Sequence, residues 1–280
     1  MRHPGKYLWA GVARAGKLIA DGGAGRWGGS VMTIENRPHA RLTRPLLTVK
    51  QSIPPVRPGA VQRTRLEQRL RNAGVGLTVV VAPAGWGKTS LLSSWAADPG
   101  EHVRVAWVSL DDTDDEPTRF WRYALSALRG ASDEISSAAL DALDVAGAVP
   151  VDLALPILLN ELAATSTPHV LVLDDYHVLT DPRIHESVEF LVSYLPPSMR
   201  LVVAGRFDPP LPIARMRARG VLTEVRAADL RLTVDESAAL VSAVSGTELD
   251  NTDATEVWER TEGWAAGLQL AGLALRSSPG

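Results

Sequence analysis

The chain has 280 residues, 45% hydrophobic and 22% charged, with 29 basic against 32 acidic side chains and a formal net charge of −3. That apolar fraction suits a folded protein and excludes a wholly disordered one, and the length suits about two domains. No uncharged apolar stretch approaches the ~18 residues that cross a bilayer. The absence of cysteine excludes a disulfide scaffold, thiolate catalysis and cysteine-ligated zinc, and six scattered histidines without an HExxH pair argue against a metal hydrolase. A soluble, cytoplasmic protein is expected, with no membrane partner.

Charge is unevenly spread along the chain. Residues 1–72 carry 14 Lys and Arg against Asp21, Glu35 and Glu67, a balance of +11, and the remainder balances at −14. A basic leader can contact nucleic acid or the acidic body of its own chain, or be a solvated extension. The Gly-rich DGGAGRWGG and the lack of any helical or strand period favour a disordered basic extension over 1–49. Arg14 and Lys17 interrupt the apolar stretch near the start, which argues against a secretory signal. Met32 is an alternative start.

From Leu77 the pattern changes. LTVVVA (77–82) is a β-branched run bounded by Gly and Pro, as in a strand buried on both faces. APAGWGKTS leads into a helix with Leu91, Leu92 and Trp95 on one face. A second strand is expected over 103–110, followed by the acidic loop DDTDDEP. A helix over 118–130 presents Phe120, Tyr123, Ala124 and Ala127 to the core, with Gly130 closing it. Residues 131–150 have no clear pattern. A helix over 153–164 has Pro156 in its first turn.

Strands are expected over 169–175, 199–206 and 221–227, with helices over 184–195 and 213–220 between them. Such alternation implies a parallel sheet with crossovers on both faces. TVDESAALVSAV reads as a helix capped by Thr233 with Glu236 three residues on. Further helices follow, so residues 232–280 form an all-helical appendage to an α/β domain over 50–231.

The chemistry concentrates in Ala82-Pro83-Ala84-Gly85-Trp86-Gly87-Lys88-Thr89, which matches G-x-x-x-x-G-K-[ST] except that Ala82 stands for the first glycine. Gly85 and Gly87 allow backbone N–H groups to face phosphates, and the following helix offers its N-terminal end, with Ser90, to the same anion. Lys88 is expected to stand in solvent and reach the β- and γ-phosphates of ATP or ADP. The Thr89 hydroxyl can ligate Mg²⁺. His169–Asp175 is an apolar strand ending in two acids. Asp174 is placed opposite Thr89 from a neighbouring strand to hold the Mg²⁺, and Asp175 orients or deprotonates the attacking water or acts as a helix cap. His177 reads as a structural residue. Arg206 can contact the γ-phosphate as a sensor or pair with Asp208. Arg63 and Arg65 can form an adenine-side lid or be solvated helix charges, and Trp86 can cover the nucleotide or pack on a neighbouring element. Lys88, Asp174, Asp175 and Arg206 are the candidate catalytic set. Residues 83–90 and Arg65 are the candidate nucleotide contacts.

With these residues in place, the chain resembles the N-terminal ATPase module of the large MalT-like, LuxR-type transcription activators, in the STAND branch of P-loop NTPases. The resemblance covers about residues 50–275. It includes KQSIPPVRPGAVQRTRLEQRL, APAGWGKTSLLSSW, AWVSLDDTDDEPTRFWRYALSAL, VLVLDDYHVL, AGRFDPPLPIARMRARG, LRLTVDESAAL and TEGWAAGLQLAGLAL. It implies the P-loop NTPase three-layer fold and a switch that binds ATP, self-associates in that state and hydrolyses slowly to reset. The family's sensor domain and DNA-binding helix-turn-helix are expected to be missing from this chain. The alternatives are a free-standing P-loop ATPase or kinase, and a nucleotide-binding scaffold without turnover.

Overall fold

Successive side chains of a strand point to opposite faces of a sheet, and here the two faces bury two different sets of residues. The computed structural model describes residues 45–57, 59–145 and 150–277. Within them, β1 (Gly76–Val81), β2 (Arg104–Ser109), β3 (His169–Asp174), β4 (Met199–Gly205) and β5 (Leu222–Arg226) form one parallel sheet in the order β2-β3-β4-β1-β5. Every expected strand forms, with ends within one residue of those expected. On one face Val79, Val81, Val108, Leu171, Leu173, Leu201 and Val203 pack with Phe120, Trp121 and Leu128 of α3 (Pro117–Ala131). The same core takes Leu155, Leu158 and Leu162 of α5 (Pro150–Ala164) and Ile184, Val188 and Leu191 of α6 (Pro182–Ser193). On the other face Val80, Trp107, Val170, Val172, Val202, Ala204 and Val225 meet Leu66 and Leu70 of α1 (Thr64–Arg71) and Leu91, Leu92 and Trp95 of α2 (Lys88–Ala97). The result is the three-layer α/β fold of P-loop NTPases. A short α4 (Ala138–Ala142) fills part of the patternless stretch, and α7 (Ile213–Ala218) precedes β5.

Three expectations change. Gly130 does not close α3, which runs on to Ala131 and ends where Ser132 turns extended; Gly130 has no left-handed backbone to enforce a stop. Pro156 is not in a first turn, because α5 starts at Pro150 and carries Pro156 in its interior; the first-turn role falls to Pro150, whose missing N–H costs nothing there. The expected boundary at 49/50 falls inside an anchored turn at Thr48–Gln51. Lys50 is buried and its Nζ lies 2.7 Å from Asp111 and 2.5 Å from the fully buried Asp114. Leu47 N donates to the Tyr123 hydroxyl at 3.1 Å. The rest of the basic extension and Met32 lie outside the described residues.

The acidic loop 111–116 is a structural hub. Asp114 also takes Arg119 Nε at 3.1 Å, and Asp115 accepts from the backbone of Thr180 and Asp181, tying the loop after β2 to the start of α6.

After β5 the chain turns through α8 (Ala227–Leu230) into α9 (Val234–Ser245), α10 (Asn251–Thr261) and α11 (Ala265–Ser277). The capping box at α9 forms as expected: Glu236 N donates to Thr233 Oγ1 at 3.2 Å and Thr233 N to Glu236 Oε2 at 2.9 Å. These helices share a small core of Leu232, Val241 and Leu268, joined by Val61, Leu240, Leu249, Val257 and Ala265. No helix among the described residues is long and apolar enough to cross a membrane.

Candidate functional site

Because β1 lies between β4 and β5, the chain leaves it at the place where strand order reverses, which opens a crevice at the carboxyl ends of the strands. Residues 82–87 form the turn from β1 into α2. Ala82 is buried at the strand end, in the same core as Ala204 and Val80. Gly85 and Gly87 are left-handed, with φ of 78° and 80°, a conformation glycine adopts without steric cost. Their turn leaves the N–H groups of Gly85, Trp86 and Gly87 without a hydrogen-bond partner among the described residues. Converging free amides beside a helix N-terminus form an anion site.

Lys88 does not stand in solvent. It is buried, and its Nζ donates to the carbonyls of Ala82 at 2.8 Å and Pro83 at 3.1 Å. Burial pushes its ammonium below the usual lysine value, opposed by the charges of Asp175 and Asp174 and reinforced by Arg206. The loop thus stores its cation on its own carbonyls.

Thr89 Oγ1 donates to Asp174 Oδ2 at 2.8 Å. The two come from elements that are not neighbours: β4 separates β1 from β3, so the expected adjacent-strand placement is corrected while the pairing itself forms. Asp174 is 2% exposed. Burial raises its carboxyl to about 6, Asp175 adds repulsion, and the Thr89 bond holds it down. A hydroxyl and a carboxylate side by side are hard oxygen donors that fit Mg²⁺, which needs one or two carboxylates with the rest supplied by phosphate and water. Among the described residues no group of three or more His, Cys, Asp or Glu could hold a metal by itself.

Asp175 sits at φ 57°, an uncommon conformation for a non-glycine residue, with its side chain half exposed beside the crevice. His177 packs edge-on against Phe207 at 5.7 Å and its Nδ1 lies 3.7 Å from Asp175 Oδ1. Burial lowers its pKa against the pull of Asp175, consistent with a neutral structural residue. Arg206 is exposed, lines the same cavity as Lys88, Thr89 and Asp175, and has no ion pair among the described residues. Asp208, its alternative partner, instead pairs with Arg226.

The cavity has a volume of about 370 Å³. One wall is the phosphate loop and α2, with Ser90, Leu91 and Ser94. The lining also takes in Arg57, Gly59, Ala60 and Val61, then Leu232, Leu240 and Val244, then Ala265, Ala266 and Gln269 of α11. Arg63 reaches the cavity but is fully engaged, donating to the carbonyls of Asp229, Leu230 and Arg231 and lying 3.2 Å from Glu236. It is a clasp between α1 and the α8–α9 turn. Arg65 does not line the cavity; it is exposed and donates to the Asp229 carbonyl at 3.2 Å. Pro83 contributes its carbonyl to Lys88, and Trp86 packs half-buried against the α1–α2 core, so neither lines the cavity. The wall from α9 and α11 was not singled out as a site in the sequence. Its available signal was the block TEGWAAGLQLAGLAL, whose small residues permit close backbone approach.

No protein-family model matches the chain. It is 34% identical over 229 residues to the HTH-type transcriptional regulator MalT of Serratia proteamaculans, covering 79% of this chain and 25% of that protein. MalT of Yersinia enterocolitica is 32% identical over 225 residues, with the same coverage. Over that stretch the chain is a MalT homologue. It spans about a quarter of the length of the curated relatives it matches. Among solved structures, a STAND protein with a tetratricopeptide repeat sensor from Pyrococcus horikoshii superposes with a TM-score of 0.51 at 21% identity, over 81% of this chain and 32% of that one. At that identity the likeness concerns the fold, which is the P-loop NTPase fold derived above.

Proposed function

We propose that this MalT homologue carries an ATP-binding, slowly hydrolysing nucleotide switch of a LuxR-type transcriptional regulator, with an NTPase domain that takes in the anchored turn at Thr48–Gln51 and runs to 231, and a helical domain beginning at 232. The observation that carries the reading is the set of unpartnered N–H groups at 85–87 next to Lys88, with Thr89 bonded to Asp174. Lys88 exchanges its bonds to Ala82 and Pro83 for the β- and γ-phosphates, a charge-assisted gain. Thr89 and Asp174 hold Mg²⁺, which when bound neutralises charge on the phosphates. Asp175 orients the attacking water, and Arg206 touches the γ-phosphate. The apolar wall of Val61, Leu240 and Val244 receives the base. Arg65 is left out of the nucleotide set, since it does not line the cavity and donates to the Asp229 carbonyl.

The relatives' name supports transcription regulation as the setting. DNA contact is assigned to a helix-turn-helix outside these 280 residues, and self-association to the ATP-bound form. Binding of a fluorescent ATP analogue tests the site: Lys88→Ala should abolish measurable affinity, with circular dichroism confirming the fold. Unchanged affinity in a folded Lys88→Ala protein removes the loop from the reading. Multiple turnover should run well below ~1 s⁻¹, the lower end for ordinary enzymes; faster turnover indicates a free-standing ATPase or kinase, and no cleavage a scaffold.

A further inference from the structure

We infer that Trp264 is a positioning residue for the phosphate loop, through which the helices after 232 are coupled to bound phosphate. The inference rests on the nucleotide reading above and adds to it a residue 180 positions from the loop. The Trp264 indole Nε1 donates to the Ala84 carbonyl at 3.2 Å, and Ala266 N donates to the Gly85 carbonyl at 3.0 Å. A trans peptide points its N–H opposite to its C=O. The Ala84 carbonyl shares its peptide with the Gly85 N–H, and the Gly85 carbonyl with the Trp86 N–H. Holding both carbonyls against α11 therefore turns those two N–H groups away from α11, and they are among the amides with no partner among the described residues.

The fit is close. A Cβ at Gly85 would lie 2.7 Å from the Ala266 Cβ and 2.8 Å from the indole nitrogen, so the loop and the start of α11 cannot shift independently. The indole is itself fixed. Its ring lies over Gly267, where a Cβ would come within 2.8 Å of it, and Trp264 N donates to the Thr261 carbonyl at 2.9 Å. The preceding Gly263 carbonyl accepts from Leu232 N at 3.0 Å, which anchors the turn to the α8–α9 junction. Trp264 is 37% exposed, so burying the ring in a core does not account for its place. A rigid side chain with one donor, aimed at one carbonyl, does.

The consequence is selective. Removing the indole donor should loosen only the part of the site that holds phosphate. Trp264→Phe in the full chain keeps a ring and loses the donor. Calorimetric titration with ADP, inorganic pyrophosphate and adenosine reads the effect. ADP and pyrophosphate are expected to bind five- to tenfold more weakly, the scale of one hydrogen bond, with adenosine affinity within twofold of wild type. Equal loss for all three ligands overturns the positioning role, since it marks Trp264 as general support of the cavity. Unchanged affinity for all three overturns it too. A wild-type chain that binds none of them overturns the nucleotide reading itself, a different result. Should Trp264→Phe fail to fold, incorporating benzothienylalanine at 264 keeps the bicyclic ring and removes only its N–H, and the same ligand pattern is expected from it.

Discussion

Thr89, in the first turn of α2, donates to Asp174 at the end of β3 across 2.8 Å, although β4 runs between the strands that lead to them. The bond joins the two halves of the site and is the main protein contact holding down the pKa of a buried carboxyl. Asp174 must be ionised to hold Mg²⁺, yet its surroundings favour the protonated form. In the proposed role, a bound cation repays the cost of ionisation.

This gives a pH signature. The folded Asp174 carboxyl titrates at about 6 against 3.8 for the free side chain, so the folded form keeps a proton that the unfolded chain releases. The stabilisation from that proton is complete below about pH 4 and is lost as pH rises through about 6. Asp174→Asn removes the dependence and can still accept from Thr89. In urea unfolding without nucleotide, the Asn protein should be more stable than wild type at pH 7.5 by on the order of 2 kcal/mol. The difference should vanish near pH 4, and Mg²⁺ should no longer enhance nucleotide binding. A constant difference across pH would show that the carboxyl is not desolvated.

Asp175 is predicted to act on the water and not on binding. Asp175→Asn suits the left-handed backbone at φ 57°, which Asn tolerates, so the substitution tests charge without adding strain. ATP affinity should stay within about threefold while single-turnover hydrolysis falls by about a hundredfold, on the scale of a general base. Equal behaviour of the Asp174 and Asp175 variants in both assays would overturn this division of labour.

Arg206 has no ion pair among the described residues and lines the cavity with Lys88. ATP and ADP differ by one phosphoryl group, and a ligand shifts an equilibrium only by its differential affinity for the two states. Arg206→Ala should bring ATP and ADP affinities within about threefold of each other, given roughly 1.5–3 kcal/mol for a hydrogen bond to a charged group. It should also erase any ATP-dependent protection from hydrogen exchange across 264–275. A variant that still prefers ATP as wild type does would rule out the sensor role.

Asp114 makes a prediction about stability alone. It is fully buried and faces both Lys50 and Arg119. Removing one partner of a buried ionic cluster leaves the others unpaired, which costs about 3–5 kcal/mol. Asp114→Ala should lose that much in urea unfolding, while a preparation kept below its transition retains nucleotide affinity. A loss below ~1 kcal/mol would mean that Lys50 is satisfied by Asp111 alone.

The sequence alone determined the strands, the phosphate loop and the acid pair, because each is a local pattern. A continuous β-branched run such as 77–82 is stable only when both faces are buried, and a glycine-bearing turn between strand and helix makes its own anion site. Thr233 and Glu236 likewise cap α9 within four residues of one another. Strand order, the storage of Lys88 on Ala82 and Pro83, the clasp of Arg63 on the 229–231 carbonyls and the exclusion of Arg65 from the cavity came only with the tertiary structure. So did the contact of Trp264 with Ala84. The physical reason is common to them: the partner in nearly every case is a backbone carbonyl. Every residue carries one, so no side-chain pattern marks which carbonyl a distant donor will find, and only the packing of the whole chain selects it.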